Sequence, residues 1–590
     1  MSGIVGIVHL NGSPVERELL HRLTQSLAFR GPDAQEIWLE QAVGLGHALL
    51  HTTWKSANEQ QPVSVDGQAW ITADARLDGR AELADKLGVE QLGKTDSELI
   101  LRAYLVWGEG CVQFLMGDFA FAIWDSSQQR LFCARDRFGV KLFYYALVGH
   151  CFIFSNTLSC LRQHPLISDR LNEQAIGDFL LFEMNYNLET TVWADIQRLP
   201  RAHTLSVTTE IQQQRYWELP VYEPIRYRRS QDYIDQFQEL MAVAVGDRLN
   251  TERVAIYMSG GLDSTAIAAT AVEVGSGSTE IQAFTTVYDR LIPSQERYYS
   301  GLVAQHLGIP IHYWSCDDYQ FYQGWERPEL KGQEPYHRPL ALGGWEQSQQ
   351  VARYSRVALY GEGGDEAFAY ATVAEMLKMG SASQVAVDVL RCLLIHKLRP
   401  RWGTGVYAWW RRRKAASTYP PWLRTDFARR LHLVERWQQV TQKPVADAPR
   451  AKAYQGMVLP LWSALFESQD PGVSLCPIEV RFPFLDLRLL SYLLALPPLP
   501  WCVGKQLLRV AMKGKLPPEV LQRPKTPLVG SPLAQHLHQG PNPWQHLAQL
   551  PIRDYVDINL LTAATQSLDP STAWLNLRPV SLGYWLMSGA

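Results

Sequence analysis

The hydrophobic positions of this chain follow one pattern before about residue 210 and another after it. From Ile4 to Asn156 the apolar segments are short and separated by turn residues, as in GIVGIVHL, AWITADARL, DFAFAIW and CFIFS. Such segments predict antiparallel strands, and the linkers Asp125–Gln129 and Gly149-His150 have the length of hairpin loops. Helical periodicity appears at Val15–Leu27 and Ser97–Leu105. We therefore expect an α+β domain of antiparallel sheets with helices packed on them.

The second half of the chain alternates strand patterns with helix patterns. Val254–Met258 is a continuous apolar run, which is typical of a strand buried on both faces. A Ser-Gly-Gly turn and a helical stretch, Ser264–Val274, follow it directly. Further strands are expected at Gln282–Tyr288, Ile309–Trp314 and Val357–Tyr360. This alternation predicts an α/β domain with a parallel sheet over residues 211–590, whose ligands lie beyond the carboxyl ends of the strands.

Composition and charge exclude several classes of protein. With 590 residues, 46% hydrophobic and 19% charged, the chain is globular rather than disordered or fibrous. Lys and Arg number 56 against 59 Asp and Glu, which argues against a nucleic-acid partner. No apolar run approaches the ~20 residues of a membrane helix, and the first residues lack the basic region of a signal peptide. We expect a cytoplasmic protein without membrane insertion.

The first candidate site is the segment Ser259-Gly260-Gly261-Leu262-Asp263-Ser264, between a buried strand and a helix. Its two glycines remove the Cβ atoms that would keep phosphate oxygens off the backbone N–H groups, and the helix N-terminus adds partial positive charge. The segment matches neither the Walker loop nor the G-x-G-x-x-G dinucleotide fingerprint. A glycine turn capped by Asp263 is the purely structural alternative.

A second loop, Gly361-Glu362-Gly363-Gly364-Asp365-Glu366, follows an apolar strand in the same half. Three carboxylates beside three glycines make an unstable turn unless a cation binds there, such as Mg²⁺ on a nucleotide. The alternative is an acidic surface turn. Because Asp263 and Asp365 both come at strand ends, they could hold one metal ion between them.

These two loops, together with three later motifs, resemble the asparagine synthetase B family in order and spacing. The later motifs are Arg481–Asp486, Lys505–Arg509 and Arg523-Pro524-Lys525. Residues 1–210 resemble the glutamine amidotransferase (Ntn-hydrolase) domain of that family, through Arg30–Asp33, Thr95–Glu98, Gly117–Ala120 and Ala134–Asp136. The resemblance implies that residues 211–590 form an ATP pyrophosphatase domain, which adenylates a carboxylate and passes it to an amine.

The resemblance also implies roles for individual residues. Pyrophosphate would be held by the backbone of Ser259, Gly260, Gly261, Asp263 and Ser264, and Mg²⁺ by Asp263 and Asp365. Lys505 would neutralise charge that develops on the phosphate and the tetrahedral intermediate, and Glu362 takes the position of a family carboxylate near the acyl group. The remaining expected nucleotide contacts are Tyr257, Thr286, Tyr360, Gly361 and Lys525. For Lys505 and Lys525 the alternative is a solvated lysine.

The first domain departs from the family pattern at three positions. Ser2 stands where the family has its nucleophilic cysteine, although serine can serve an Ntn hydrolase. Ala48 replaces the arginine that follows Gly-His, and Asp74-Ala75 replaces the Asn-Gly of the oxyanion hole. Because the carboxylate of Asp74 would repel an oxyanion, we predict that the glutaminase is inactive.

An enzyme of this type without an ammonia supply must use an amine carried by its substrate. β-Lactam synthetases and lasso-peptide macrolactam cyclases fit that description, and several segments are similar to the cyclases: ADARLDGRAEL, Pro420–Leu423, Phe466–Arg509 and RPKTPL. The expected activity is ATP- and Mg²⁺-dependent ring closure between an Asp or Glu side chain of a ribosomal peptide and its N-terminal amine. Expected partners are the precursor peptide, a leader-peptide protease and a leader-recognition protein.

Other functions stay open at this point. They are an ammonia-using asparagine synthetase, a β-lactam synthetase and an inactive peptide-binding scaffold. The intact Asp263, Asp365, Glu362 and Lys505 disfavour the scaffold. The tryptophan-containing basic stretch Thr404–Arg430 could grip a peptide or form a solvated helix face.

Overall fold

The computed structural model describes residues 1–54, 59–90, 94–275, 277–379, 381–402, 419–441, 450–525, 530–565, 570–587 and 589. Residues 1–215 contain two antiparallel sheets, with strand orders β10-β8-β9-β1-β3-β2 and β12-β11-β7-β6-β5-β4. The strands are β1 Gly3–His9, β2 Ala34–Glu40, β3 Val43–Leu49, β4 Val63–Ser64, β5 Ala69–Leu77, β6 Gly117–Asp125, β7 Arg130–Arg135, β8 Tyr144–Val148, β9 Cys151–Ser155, β10 Gln197–Arg198, β11 His203–Val207 and β12 Ile211–Arg215.

The two sheets pack face to face, with helices on both outer faces. Apolar residues of both sheets share one buried cluster, which includes Ile4, Phe154 and Ala122. The outer helices are Arg17–Gln25, Arg80–Leu87, Asp96–Trp107, Leu158–Leu161 and Glu173–Phe182. This arrangement confirms the α+β prediction. The predicted boundary near residue 210 falls in the turn between β11 and β12, which pair with each other in the second sheet.

Local sequence signals explain how several of these elements begin and end. The helix Asp96–Trp107 begins after Thr95, whose hydroxyl accepts the N–H of Glu98 (3.2 Å) while the Glu98 carboxylate accepts the N–H of Thr95 (3.0 Å). These two bonds form a capping box, which satisfies two otherwise unpaired N–H groups. The predicted hairpin loops Asp125–Gln129 and Gly149-His150 lie between β6 and β7 and between β8 and β9.

The second half of the chain contains a five-stranded parallel sheet with the order β15-β14-β13-β16-β17. Its strands are β13 Arg253–Tyr257, β14 Glu280–Val287, β15 Ile311–Ser315, β16 Val357–Tyr360 and β17 Glu479–Arg481. The parallel pairing confirms the predicted α/β class. Four of these strands lie within two residues of their predicted positions, whereas β17 was not anticipated as a strand.

Helices surround the parallel sheet, and further helices follow its last strand. They are Ser230–Gly246, Leu262–Gly275, Glu296–Leu307, Ala341–Tyr354, Gly364–Ala367, Val373–Met379, Ala382–Leu394, Thr425–Arg430, Leu433–Thr441, Ala451–Val458, Leu461–Gln469, Pro471–Ser474, Leu487–Leu494, Gln506–Ala511, Pro518–Gln522, Pro532–Gln539, Ile558–Ala564 and Pro570–Met587. Within the described ranges, no helix combines the length and apolar character that crossing a bilayer requires.

Candidate active site

The two glycine-rich loops meet at the carboxyl ends of neighbouring strands. β13 pairs with β16, so the segment after Tyr257 and the segment after Tyr360 lie side by side. The contact is so close that a Cβ on Gly364 would come within 2.7 Å of the Asp263 carboxyl carbon. Gly363 has a φ of +98°, a conformation that residues with a side chain rarely adopt. The glycines are therefore needed to bring the carboxylates of both loops together.

The loop Ser259–Ser264 presents backbone donors at the start of the helix Leu262–Gly275. Two of its amides are held by serine hydroxyls, since Ser259 N–H donates to Ser264 Oγ (3.0 Å) and Gly261 N–H donates to Ser259 Oγ (3.1 Å). The amides at positions 262 to 264 have no carbonyl partner inside the helix, as at every helix N-terminus. Donors of this kind, with the helix dipole behind them, suit a phosphate group.

Glu296, which sequence reasoning missed, and Arg523, which it named only as part of a motif, hold this loop in place. Glu296 accepts the N–H of Gly260 (2.6 Å) and pairs with Arg523 (2.9 Å), whose guanidinium also donates to the Gly260 carbonyl (2.8 Å). A Cβ on Gly260 would lie 2.6 Å from the Cβ of Tyr299, which cannot move without its backbone, so glycine is favoured there. The motif Arg523-Pro524-Lys525 signalled Arg523, but nothing in the sequence connected it to Glu296.

Two lysines bind the two aspartates. Lys505 Nζ contacts Asp263 Oδ2 and lies 2.6 Å from Asp365 Oδ1, while Lys525 Nζ lies 2.6 Å from Asp365 Oδ2. Burial raises the pKa of Asp263, and Lys505 only partly opposes that effect. Burial also raises the pKa of Asp365, but the hydrogen bonds and charges of Lys505 and Lys525 outweigh it, so the pKa falls below its usual value. The structure thus brings together four residues that the sequence placed at the nucleotide site.

The donors present fit a divalent cation. Asp263 Oδ1 is buried and has no hydrogen-bond partner among the described residues, although its companion oxygen binds Lys505. Asp365 is half exposed and lies on the adjacent loop. Carboxylate oxygens are the ligands that Mg²⁺ prefers. A divalent cation bound here would take the place of the ammonium groups of Lys505 and Lys525, which now contact the carboxylates of the two aspartates.

Lys505 has an unusual backbone conformation. Its φ is +59°, and Gly504 before it is also left-handed with a φ of +57°. A residue with a side chain pays about 1 kcal/mol or more for this conformation, which persists only where the surroundings impose it. The strain directs the ammonium of Lys505 toward both aspartates and so places its charge where phosphate oxygens would lie.

Glu362 lies on the same loop as Asp365 and faces the cleft. Burial raises its pKa, and the nearby carboxylates of Glu366, Asp365 and Asp263 raise it further, while a hydrogen bond with Tyr360 opposes them. A carboxylate with a raised pKa accepts a proton more readily near neutral pH. This environment suits the role of a base that the sequence suggested.

The predicted adenosine residues line the same cavity, which has a volume of about 1070 Å³. Tyr257, Thr286, Tyr360 and Gly361 all border it, and the rings of Tyr257 and Tyr360 are 5.7 Å apart in an edge-to-face arrangement. The hydroxyl of Thr286 donates to Gln347 (3.0 Å). Every candidate residue from the sequence therefore borders one cavity at the carboxyl ends of the parallel strands.

Sequence reasoning also missed Arg338. Its guanidinium lies 5.4 Å from the ring of Tyr336 and borders the cavity, and desolvation by the surrounding protein lowers its pKa. The described residues place no carboxylate within ion-pair distance of Arg338. The side chain of Arg338 is solvent-exposed at the cavity, and a cation there without an acidic partner among the described residues is suited to bind a carboxylate or phosphate. No motif marks this position.

The predicted glutaminase pocket is filled by buried charges. Lys141 Nζ binds Asp74 Oδ1 (2.8 Å) and Glu479 Oε2 (3.0 Å), and Asp74 also faces Arg30 at 3.6 Å. Burial would raise the pKa of Asp74, but Lys141, the Met1 amino group and Arg30 hold it below its usual value. The free space beside Ser2 is about 40 Å³. We call Asp74, Lys141 and Glu479 the sealed cluster.

The basic aromatic stretch Thr404–Arg430 is described only from Tyr419 onward. Trp409, Trp410 and the run Arg411–Lys414 lie outside the described residues. Trp422 is fully buried and donates its indole N–H to Asn576 (2.9 Å), so this tryptophan is not available to contact a peptide. At the end of the stretch, Arg430 pairs with Glu173 on the surface (2.8 Å).

Together, the phosphate loop, the paired aspartates and the lysines of the cleft define an ATP-dependent, amide-forming ligase. Comparison with protein families agrees: a glutamine amidotransferase domain matches residues 1–217, and asparagine synthase matches residues 236–580. The chain belongs to the asparagine synthase family.

Individual relatives support this assignment. The chain is 26% identical over 584 residues to asparagine synthetase [glutamine-hydrolyzing] 3 of Bacillus subtilis, covering 89% of this chain and 86% of the relative. It is 28% identical over 392 residues to putative asparagine synthetase [glutamine-hydrolyzing] 2 of Methanocaldococcus jannaschii, covering 62% and 75%. Among solved structures, glutamine phosphoribosylpyrophosphate amidotransferase of B. subtilis aligns with a TM-score of 0.27 and 11% identity, covering 53% of this chain and 65% of that one.

Proposed function

We propose that this amide ligase closes a macrolactam ring in a ribosomal peptide. The side-chain carboxylate of an Asp or Glu is activated as an acyl adenylate with release of pyrophosphate, and the N-terminal amine of the same peptide displaces AMP. The substrates are ATP, with Mg²⁺ as its counter-ion, and the precursor peptide. A leader-peptide protease and a leader-recognition protein are the proposed partners.

One observation carries the proposal: the nucleotide cleft is open while the glutaminase pocket is filled by the sealed cluster. Asp74 occupies the position of an oxyanion-hole donor and is bound by Lys141. The free space there is about 40 Å³, against about 1070 Å³ in the nucleotide cleft, so the pocket leaves little room for a glutamine side chain. Without ammonia from glutamine, the attacking amine must come with the substrate.

Residues of the cleft divide the chemistry between activation and attack. The amides at positions 262 to 264 and the side chains of Lys505 and Lys525 bind the phosphates. The two ammonium groups and the helix N-terminus stabilise the negative charge that develops as the phosphorus–oxygen bond breaks. Mg²⁺ held by Asp263 and Asp365 would act as a Lewis acid on the phosphate oxygens. Arg338 orients the substrate through an acidic group.

Attack requires a neutral amine. A peptide N-terminus has a pKa of about 8, so much of it is protonated at pH 7. Glu362, with its raised pKa, accepts the amine proton as the amide bond forms. Holding the amine next to the acyl group removes most of the entropic cost of ring closure.

A second candidate is an ammonia-dependent asparagine synthetase. The names of the relatives favour asparagine synthesis, although they describe glutamine-hydrolysing enzymes. A third is a β-lactam synthetase. The cavity of about 1070 Å³ has to hold ATP in each of these enzymes, so its volume is compatible with a peptide but does not by itself separate the three candidates.

The test is to incubate the purified protein with ATP, Mg²⁺ and a short peptide encoded beside its gene, after removal of the leader. Mass spectrometry should show loss of one water from the peptide, with one pyrophosphate released per ring. The matched control is the same peptide with an acetylated N-terminus, which should not lose water. Formation of asparagine from aspartate and ammonia, with no change in any peptide, would contradict the proposal.

A further inference from the structure

Four aromatic side chains line one side of the cleft, and none of them belongs to a nucleotide motif. They are Tyr322, Trp325, Trp574 and Tyr584, which we call the aromatic wall. The ring of Tyr584 lies 4.7 Å from that of Tyr322 and 4.6 Å from that of Trp325. The wall joins a loop after β15 to the helix Pro570–Met587.

Two members of the wall have their polar atoms occupied by the protein. The hydroxyl of Tyr322 donates to the Leu577 carbonyl (3.0 Å), and the indole N–H of Trp574 donates to Glu183 (2.8 Å). These two residues therefore offer ring surface, rather than hydrogen bonds, to whatever enters the cavity. Aromatic surface recognises other apolar and aromatic groups through burial and ring packing.

The N-terminal domain holds the wall in position. Arg578 pairs with Glu183 (2.7 Å) and donates to the Leu181 carbonyl (2.6 Å). Leu181 lies in the last turn of the helix Glu173–Phe182, and Glu183 directly follows that helix. Trp585 packs against Trp193, with ring centroids 5.7 Å apart. Because the rings are fixed before a ligand arrives, binding to them costs little conformational entropy.

We infer that the aromatic wall is a specificity subsite for a bulky apolar or aromatic side chain close to the activated carboxylate of the substrate. The inference rests on the proposed function, in that it takes the acyl donor to be a residue within a peptide. A free amino acid has no second side chain to cover the wall, whereas a peptide does. The N-terminal domain then has a role in substrate selection, since it supports the aromatic wall.

The experiment uses capped tripeptides that cannot cyclise. The probes are N-acetyl-Phe-Asp-Phe amide and N-acetyl-Ala-Asp-Ala amide, and the measurement is ATP–pyrophosphate exchange as a function of probe concentration. The wild-type KM should be about tenfold or more lower for the Phe probe. Trp325→Ala and Tyr584→Ala should remove most of this difference, whereas Tyr584→Phe should keep it.

Two controls separate recognition from folding. The KM for ATP should stay unchanged in all variants, because among the described residues the hydrogen bonds and ring contacts of the wall involve no residue of the two glycine-rich loops. Trp402→Ala removes a tryptophan that is 65% exposed and does not line the cavity, so it should behave as wild type.

Equal KM values for the two probes in the wild type would overturn the inference. So would exchange supported by free aspartate and by neither probe, or an unchanged preference in both alanine variants. These failures differ from failure of the proposed function, which is the absence of water loss from an uncapped peptide. A preference for the Phe probe without water loss would support the subsite alone, and water loss without that preference would support the proposed function alone.

Discussion

The open cleft of the second domain and the sealed cluster beside the first domain both contain lysines and carboxylates. The two regions differ in how far these side chains are exposed to solvent and in whether all their oxygens have partners. In the cleft, the side chains of Lys525 and Asp365 are 76% and 47% exposed, and Asp263 keeps one oxygen without a partner among the described residues. In the sealed cluster, Lys141, Asp74 and Glu479 are at most 4% exposed and bind one another. Charges in the cleft can exchange partners for a ligand, whereas charges in the sealed cluster hold protein to protein.

The largest expected effect is loss of activation in the cleft. Asp263→Ala or Asp365→Ala should lower pyrophosphate release by about 10³-fold or more, because each removes a ligand to the cation that neutralises the polyphosphate. The measurement is pyrophosphate release at saturating ATP and Mg²⁺. Asp318→Ala, at an aspartate whose side chain is 84% exposed, is the matched control. Near-normal, Mg²⁺-dependent release by either cleft variant would show that its aspartate is not a ligand.

A smaller effect should separate attack from activation. Glu362→Gln should keep ATP–pyrophosphate exchange but slow ring closure by about 10²-fold, because the amide cannot accept the amine proton. The pKa of Glu362 is raised, so wild-type ring closure should fall as the pH drops through that raised value. The variant should lack this acid limb. Lys505→Ala, in contrast, should suppress exchange and ring closure together. Wild-type ring closure by Glu362→Gln would make Glu362 structural.

Replacing the lysine of each region should change the free energy of unfolding by different amounts. Lys141→Met leaves Asp74 and Glu479 buried with one fewer partner, which should lower the free energy of unfolding by about 3–5 kcal/mol. Lys525→Met removes an exposed pair and should change it by about 1 kcal/mol or less, although it weakens nucleotide binding. Urea unfolding and the KM for ATP measure the two quantities. Similar unfolding midpoints for both variants would show that the sealed cluster contributes no more than a surface pair.

The smallest expected signal is glutamine hydrolysis. With ATP and Mg²⁺ present, glutamate release from glutamine should not exceed the control without enzyme, because Asp74 opposes an oxyanion and the pocket is filled. A glutamate assay over hours provides the measurement. Steady turnover would mean that the sealed cluster opens in solution and that the comparison between the two regions fails.

Local patterns in the sequence were enough to predict most strands and both glycine loops. Val357–Tyr360 was predicted to the residue, because an apolar run bounded by a glycine loop depends only on neighbours in the chain. The short strand Glu479–Arg481 was missed, since its pairing with β16 joins residues about 120 positions apart. Glu296 holding Gly260, Arg338 in the cavity and Lys141 in the sealed cluster were missed for the same reason. Their roles come from tertiary contacts that no single segment encodes.

The anchoring of the helix Pro570–Met587 on the N-terminal domain has a consequence for biosynthesis. Trp574 meets Glu183 across 391 residues of sequence. At about 5–20 residues per second, a ribosome needs roughly 20–80 s to add that length of chain. From Arg215 onward all strands of the first domain have been made, whereas the cleft still lacks one of its sides. The cavity is complete only after residues 570–587 have been added, so a shorter nascent chain cannot bind a peptide as the finished protein does.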